Sequence, residues 1–496
     1  MKKSTFLGGT ILLTVTGLLV RGIGFIYRIF LAGRLGAEKM GLYQLVFPVY
    51  GICYTLYAAG IQTALSKLIA EDDNPARRRK YLISAFGCSM LIALGLTLLL
   101  TQFSSVIAAS YMGTVTAAPS LRILALCFPF CAVTSCINGY YFGIKKSLVP
   151  STGQLVEQVA RVLFVFSMSS LSCEMAVLGI VVGEIVSCLY HSTAFFLGRN
   201  LKKIERKSAE NAGSVKRLLG LSVPLTANRL LVSILHSVEA VLIPAMLLKA
   251  GLDNSQALGT YGTLTGMAMP FIQFPSTIIG SVALLLMPTI SEASARKNQS
   301  SIERSSKLSI HFSLLIGFLS TAVFLLFGQN IGSLVFHDTT TGSFIMILAW
   351  LCPLLYVTTT LSSILNGLGK AHISFFHTVI GLAIRILFVI LLIPSKGIMG
   401  YFIGMLVSQL VMTILDCVTI VRHARFSFSA ADFFLKPIAI LCIGGYFTKK
   451  TLPYLLENTS VNQIVLLGGA ICSLTLIYGI SLLLTRAVHL KTLTGR

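Results

Sequence analysis

The sequence predicts an all-α polytopic integral membrane protein with about fourteen transmembrane helices. We expect two six-helix bundles related by a parallel repeat, followed by two C-terminal helices. Three observations predict this fold class. The 496 residues are 55% hydrophobic and only 11% charged, whereas an average soluble domain is roughly 25% charged. The apolar residues form runs of about 20, the length that crosses a bilayer. The chain also matches itself when Pro129 is superposed on Pro353.

The apolar runs place the spans in order along the chain. The first run continues to about residue 32, which is longer than the apolar part of a cleaved signal peptide. We therefore predict that it is a membrane span. The predicted spans are 6–32, 41–66, 81–103, 120–143, 149–168, 175–197, 218–248, 258–290, 308–327, 343–367, 372–393, 397–421, 433–451 and 461–485.

Loop charge indicates the orientation of these spans, because basic residues accumulate on the cytoplasmic side. With the N-terminus inside, 27 of the 39 Lys and Arg residues fall in cytoplasmic segments and 6 in external ones. The sequence therefore predicts a multi-pass protein of the cytoplasmic membrane with both termini in the cytoplasm. The net charge of +22 is then a topology signal. Since the basic residues are scattered over the loops, we expect no nucleic-acid partner.

The loops are too short for a catalytic domain. The longest hydrophilic segment, 198–217, has about twenty residues. No phosphate-binding G-x-x-x-x-G-K-[ST] motif occurs, and the eleven cysteines contain no C-x-x-C pair. We predict no enzymatic activity, no catalytic residue, no metal site and no cofactor.

The internal match predicts two copies of one bundle. The alignment that superposes Pro129 on Pro353 also pairs Gly143 with Gly367, Lys146 with Lys370 and Arg161 with Arg385, without a gap. We call this alignment the repeat register. Six spans per copy give both copies the same orientation, which is a parallel repeat of the kind found in alternating-access transporters.

The repeat also predicts the domain boundaries. We expect an N-terminal six-helix bundle at 1–197 and a basic cytoplasmic linker at 198–217. A second six-helix bundle should occupy 218–430, and helices 13 and 14 should occupy 431–496.

Charged residues inside the spans are candidates for a functional site, because each opposes insertion by about 2.5–3.5 kcal/mol. Arg21 and Arg28 are seven residues apart and therefore share one helix face. Arg229 and His236 repeat this spacing on the seventh span. Arginine binds phosphate oxygens well, so this set predicts a cavity that attracts an anion.

A second group of intramembrane charges has two interpretations. Glu157 and Arg161 are four residues apart and can form an ion pair that locks the fifth span. Alternatively, Arg161 and its counterpart Arg385 contact the substrate. Glu157, Glu239 and His236 are candidates for ion coupling. Interhelical salt bridges or snorkelling are the structural alternative for the arginines.

Several segments resemble the stage V sporulation protein B family, a branch of the multidrug/oligosaccharidyl-lipid/polysaccharide flippase superfamily. These segments are 21–28, which reads R-G-I-G-F-I-Y-R, then 35–44, 59–71, 261–268 and 288–292. Arg21 and Arg28 match the R-x-x-G-F-x-x-R pattern of the branch, and the resemblance covers most of the chain.

The resemblance implies a flippase of polyprenyl-diphosphate-linked sugar precursors for peptidoglycan or a related polysaccharide, in spore cortex or cell-wall synthesis. It implies that the first-span arginines lie in a central cationic cavity and that spans 13 and 14 form a lipid groove. The implied partners are a lipid II-like substrate, membrane lipids and cell-wall synthesis proteins.

Three rival functions stay open from the sequence. A cation or drug exporter of the same superfamily would need a cavity carboxylate on an early span, and the first span has none. A membrane glycosyltransferase or polymerase would need an acidic catalytic loop. A membrane scaffold without transport activity would be distinguished by a flipping assay in liposomes.

Overall fold

The computed structural model describes residues 3–198, 214–422, 431–458 and 463–485. Within these ranges the chain consists of helices joined by short turns, and no β-strand occurs. The protein is therefore an all-α, multi-pass membrane protein, as predicted. The predicted linker 198–217 falls mostly outside the described residues.

The chain divides into two compact units, Met1–Gly262 and Thr263–Arg496. The helices of the first unit are α1 (Lys3–Tyr54), α2 (Gly60–Glu71), α3 (Pro75–Ser110), α4 (Ala118–Ala125), α5 (Phe128–Gly143), α6 (Leu148–Phe166), α7 (Cys173–Leu197), α8 (Ser214–Lys249) and α9 (Asn254–Gly262). Those of the second are α10 (Met269–Gln273), α11 (Ser276–Ala295), α12 (Gln299–Val335), α13 (Thr339–Leu348), α14 (Cys352–Gly367), α15 (Ala371–Lys396), α16 (Ile398–Val421), α17 (Lys436–Asn458) and α18 (Gln463–Leu484).

Packing and sequence repetition divide the chain differently. Helix α8 corresponds to the predicted seventh span, the first span of the second copy, yet it packs within the first unit against α1, α2 and α3. The domain boundaries drawn from the repeat, with a second bundle at 218–430, stay a prediction.

Eleven of the described helices are long and apolar enough to cross a membrane, or twelve if α4 and α5, which are bent by 47°, count as one span. The run Val15–Glu71 counts once, although Gly36 breaks it with φ 75° and ψ 172°. Glycine adopts this positive φ without steric cost. Helix α6 coincides with the predicted fifth span but carries Glu157 and Arg161, and it is not among the eleven. If α4 and α5 count as one span, the run is divided at Gly36 and α6 is included, the number of spans becomes the predicted fourteen.

Polar side chains fix several helix starts between spans. The Asn74 side chain accepts a hydrogen bond from the backbone N–H of Ala76 at 2.9 Å, and Pro75 follows it at the first position of α3. Asp338 caps α13 through the backbone N–H groups of Thr340 and Thr341, at 3.0 and 2.9 Å. Partial burial alone would raise the pKa of Asp338, but the hydrogen bonds from Thr341 and Thr340 outweigh it and lower the pKa.

Several helices of the first unit have counterparts in the second unit in the repeat register. Helix α5 and helix α14 both begin one residue before a proline and both end at a glycine, and the register superposes both of their bounds. It also superposes Pro75, the first residue of α3, on Gln299, the first residue of α12. For these helices, the repeat seen in the sequence is also a repeat of helix bounds between the two units.

One hydrogen bond recurs in both units. The Thr97 hydroxyl on α3 donates to the carbonyl oxygen of Ala125 at 3.0 Å. The Thr321 hydroxyl on α12 donates to the carbonyl oxygen of Ala349 at 2.9 Å. In both units the accepting carbonyl lies at the junction of two helices, α4 with α5 or α13 with α14. The Ala349 carbonyl also accepts a hydrogen bond from the backbone N–H of Cys352, so the threonine is a second donor there.

Glycine allows the helices of each unit to approach closely. A Cβ atom on Gly143 of α5 would lie 2.7 Å from the Cβ of Ile69 on α2. A Cβ atom on Gly367 of α14 would lie 2.8 Å from the Cβ of Ile290 on α11. Small residues at such crossings are typical of membrane helix packing.

Substitution of Gly143 by alanine is expected to destabilise the first unit by about 1–3 kcal/mol, because the added methyl group overlaps α2. Thermal unfolding of the purified protein in detergent measures this loss. Gly95→Ala on α3 is the matched control, since no atom lies within 4 Å of its added Cβ. Equal unfolding midpoints for the two variants would contradict the close crossing.

Candidate functional site

The first helix presents two exposed arginines. Arg21 and Arg28 are both exposed on α1. Within the described part of the chain, Arg21 has no hydrogen bond or ion pair. Arg28 interacts electrostatically with Tyr43 and Arg161. Neither guanidinium group is neutralised by an acid among the described residues, so both stay available to an anion.

The break at Gly36 brings Arg28 and Tyr43 together. In an unbroken helix their fifteen-residue separation would span about 22 Å. Their electrostatic interaction therefore requires the chain to double back at Gly36. The two predicted spans on either side of this glycine consequently face each other at the level of Arg28.

Glu157 and Arg161 form the ion pair that their spacing predicts. The Arg161 guanidinium donates to the Glu157 carboxylate, and the two side chains are 17% and 24% exposed. Arg161 also interacts electrostatically with Glu184 and Tyr43. Because an acid already occupies part of its donor fork, Arg161 is less available to a substrate than Arg28.

Glu184 on α7 completes a cluster that the sequence analysis did not assign to the site. It is 8% exposed, and its Oε1 lies 3.5 Å from the Tyr50 hydroxyl. It also interacts electrostatically with Glu157 and Arg161. We call Glu157, Arg161 and Glu184 the carboxylate cluster. Two acids share one arginine there, and the exposed Arg28 interacts with that arginine.

Two stacked tyrosines connect the cluster to the eighth helix. The rings of Tyr50 and Tyr54 lie 5.8 Å apart with an interplanar angle of 27°. Tyr54 interacts electrostatically with Glu184, Glu157 and Arg229. The i, i+4 spacing of Tyr50 and Tyr54 is the sequence signal that could have indicated this pair.

Arg229 on α8 is exposed, and its Nη1 donates to the carbonyl oxygen of Ala59 at 2.7 Å. Ala59 ends the π-helical turn Thr55–Ala59 between α1 and α2. A π-helical turn disturbs the regular hydrogen-bond ladder, and such turns are frequent at functional sites. One donor of Arg229 thus supports the backbone, and its remaining donors are available to a ligand.

The other predicted residues are His236 and Glu239 on α8 and Arg385 on α15. His236 Nδ1 is 3.6 Å from Glu239 Oε2, with His236 55% exposed and Glu239 6% exposed. Arg385 lies in the second unit on α15, half-buried and with an interaction of its own. Its position four residues back is occupied by Gly381, whereas Arg161 has Glu157 there. The two repeat-related arginines therefore have different surroundings.

An apolar cavity of about 440 Å³ lies in the second unit. It is bounded by α12, the segment from Trp350 to Pro353 and α17, with Phe318, Leu325, Leu441 and Tyr446 in its lining. Helix α17 is the predicted span 13. The cavity is lined almost entirely by hydrocarbon and aromatic groups, which suits an acyl or prenyl chain better than a polar ligand.

Comparison with known families supplies the classification. The polysaccharide biosynthesis protein family pattern matches residues 6–294. The chain belongs to this family. A second pattern, MatE, matches residues 243–391.

A curated relative and two solved structures resemble most of the chain. Stage V sporulation protein B of Bacillus subtilis (strain 168) is 27% identical over 98% of this chain and 97% of its own. The structure of lipid II flippase MurJ in an inward closed conformation gives a TM-score of 0.72, with 15% identity over 95% of this chain and 98% of its own. An inward-facing multidrug resistance MATE transporter gives 0.66, with 17% identity over 82% and 98%. The fold is that of these transporters.

Proposed function

We propose that the protein is a flippase that moves a polyprenyl-diphosphate-linked sugar, a peptidoglycan or related polysaccharide precursor, across the cytoplasmic membrane. The observation that carries this proposal is Arg28, an exposed guanidinium inside a membrane-spanning bundle with no acid paired to it among the described residues. An arginine inside the membrane opposes insertion, so its presence there indicates a functional site. The name of one relative, lipid II flippase MurJ of Bacillus subtilis (strain 168), supports the same substrate class.

The headgroup is held by arginines in this proposal. Arg28 and Arg21 bind the diphosphate oxygens through charge-assisted hydrogen bonds, and Arg229 adds its remaining donors. Arg161 and Arg385 have a secondary role, since Arg161 is paired with Glu157. Glu157 or the pair of His236 and Glu239 are the candidates for ion coupling.

The lipid tail stays in an apolar environment throughout transport. The cavity beside α17 offers about 440 Å³ for part of the prenyl chain. A prenyl chain that remains in hydrocarbon needs no carrier of its own. The protein therefore has to carry only the headgroup across the membrane. The protein makes and breaks no covalent bond, and we assign it no enzymatic activity.

The membrane potential can drive this export. Moving one negative charge out of a negative interior is favourable by about 2.3 kcal/mol per 100 mV. With both termini in the cytoplasm, as the loop charges predict, the headgroup enters from the cytoplasm and is delivered to cell-wall synthesis proteins outside.

A cation or drug exporter is the alternative of the same fold. That function needs an acid exposed in the cavity, and the first half of α1 carries Arg21 and Arg28 and no acid. The acids of the first unit's carboxylate cluster surround an arginine instead. The charge of the site therefore favours an anionic substrate.

The test is a flipping assay with the purified protein in liposomes. A panel of polyprenyl-diphosphate sugars with fluorescent headgroups is placed in both leaflets, and a membrane-impermeant quencher reports the accessible fraction over time. We expect the protein to accelerate exchange of the diphosphate lipids and not of a polyprenyl alcohol that lacks the headgroup. Acceleration of a lipophilic cation alone would replace this proposal with the exporter.

A further inference from the structure

The second unit contains a buried acid-base pair that the proposed transport of the headgroup does not use. On α15, His377 is 8% exposed, and on α16, Asp416 is 2% exposed. Their Nδ1 and Oδ1 atoms are 2.6 Å apart. Helices α15 and α16 form a hairpin joined at Gly397. Both residues lie toward the open end of this hairpin, which is the predicted cytoplasmic end.

Hydroxyl and amide groups on the same helices form hydrogen bonds that connect α14 with α15 and α16. Ser374 on α15 is 2.8 Å from Ser362 on α14. Gln409 on α16 donates to the Thr358 hydroxyl on α14 at 2.8 Å, and Thr358 is 2.9 Å from Thr413. The hydroxyl groups among them can rotate to donate or accept a hydrogen bond.

Few other charges lie on the helices that pack here. Helix α14 carries no Asp, Glu, Lys, Arg or His. Helix α15 adds His372 near its start, Arg385 eight residues beyond His377, about 12 Å along the helix, and Lys396 at its far end. On α16, Cys417 interacts electrostatically with Asp416. Lys370 and Arg422 flank the helix ends.

The first unit shows that the helix pair folds without this acid-base pair. In the repeat register, His377 corresponds to Gly153 and Asp416 to Ser192. In the first unit, His191 occupies the corresponding space instead: a Cβ on Gly153 would lie 2.0 Å from its ring. The His191 Nδ1 is 2.8 Å from the carbonyl oxygen of Ser187 on its own helix. An uncharged arrangement thus closes the same interface.

The charge of the pair depends on one proton. With one proton shared between the imidazole and the carboxylate, the pair is neutral overall, and without it the pair carries one negative charge inside the bundle. A net charge in a buried membrane site is costly. Loss of the proton therefore favours a different packing of α14, α15 and α16.

We propose that His377 and Asp416 form a proton-binding site, and that its occupancy couples a proton gradient to the conformational change of the second unit. The site itself is independent of the substrate, while its coupling role rests on the proposed flippase activity. A proton that enters from outside and leaves to the cytoplasm moves opposite to the exported headgroup.

The first test measures protonation of the site in the absence of substrate. Trp350 is the chain's one tryptophan, and it lies in the turn Ala349–Leu351 that packs against α14 and α16. We expect its emission in lipid nanodiscs to follow a single-proton transition as the pH is raised. Asp416→Asn should remove most of this amplitude, and His191→Gln should keep it. A transition that persists in Asp416→Asn would overturn the proton site.

A triple variant with the residues of the first unit at these positions is the control for misfolding. His377→Gly, Leu415→His and Asp416→Ser together install the residues found at 153, 191 and 192. This triple variant should unfold at a temperature close to that of the wild type and show no Trp350 transition. An unchanged transition in the triple variant would also overturn the proposal.

The second test measures coupling in liposomes with a fluorescent polyprenyl-diphosphate N-acetylglucosamine. If one proton exchanges per headgroup, the final distribution should shift about tenfold per pH unit when the delivery side is acidic. Asp416→Asn should flip without responding to the gradient. A wild type that flips but ignores the gradient would overturn the coupling alone. Absence of flipping under every condition would refute the proposed function, and the Trp350 titration would then decide the proton site by itself.

Discussion

Arg28→Ala is expected to slow the flipping of a polyprenyl-diphosphate sugar by roughly 30- to 150-fold, because it removes charge-assisted hydrogen bonds of about 2–3 kcal/mol. The side chain is exposed and has no acid partner among the described residues. Its loss should therefore leave folding intact. Initial flipping rates in liposomes, together with the thermal unfolding midpoint, measure both effects.

Two further substitutions define what Arg28 contributes. Arg28→Lys keeps the charge but loses the planar donor fork, so its rate should fall between those of the wild type and the alanine variant. Arg34→Ala is the matched control, since Arg34 is exposed on the same helix and donates to the carbonyl oxygen of Ser169 at 2.9 Å. If Arg28→Ala flips the lipid at the wild-type rate, Arg28 does not bind the headgroup.

Arg161→Met is expected to cause the largest loss of stability, about 3–5 kcal/mol, because it leaves Glu157 and Glu184 without the arginine between them. The unfolding midpoint in detergent should fall sharply. Adding Glu157→Gln in the same chain should recover much of the loss, since the double variant no longer contains the uncompensated carboxylate of Glu157. A double-mutant cycle gives the interaction energy of the pair.

The same double variant separates the two interpretations of this ion pair. If the pair only fixes α6, the stabilised double variant should flip its substrate close to the wild-type rate. If Arg161 contacts the diphosphate, flipping should stay low although stability returns. A single variant as stable as the wild type would contradict the buried cluster altogether.

The sequence predicts the helices well where the length of an apolar run or the internal repeat determines their position. Every predicted span overlaps one or more of the described helices, and the register derived from residues such as Pro129 and Pro353 recurs in the bounds of α5 and α14. Breaks inside the spans are not predicted, and the eighth span is one example. It is interrupted by the π-helical turn Thr263–Ala268 and the separate short helix α10, because local backbone deviations leave little trace in hydropathy.

The site is predicted less completely than the fold. The spacing of Glu157 and Arg161 predicts their pair, since both atoms of that contact lie on one helix. Glu184 joins them only through the packing of α7 on α6, and Arg229 binds Ala59 only through the packing of α8 on α2. Such contacts depend on which helix faces meet, and a single sequence does not contain that information.

The carbonyl of Ala59 has a consequence for comparing relatives. A π-helical turn arises when one extra residue is accommodated in an otherwise regular helix. A homologue shortened by one residue between positions 54 and 60 would restore the regular ladder and no longer offer a spare acceptor to the arginine of the eighth helix. In an alignment of the family, a gap at this place should accompany a change in that arginine, so that the two positions are inherited or lost together.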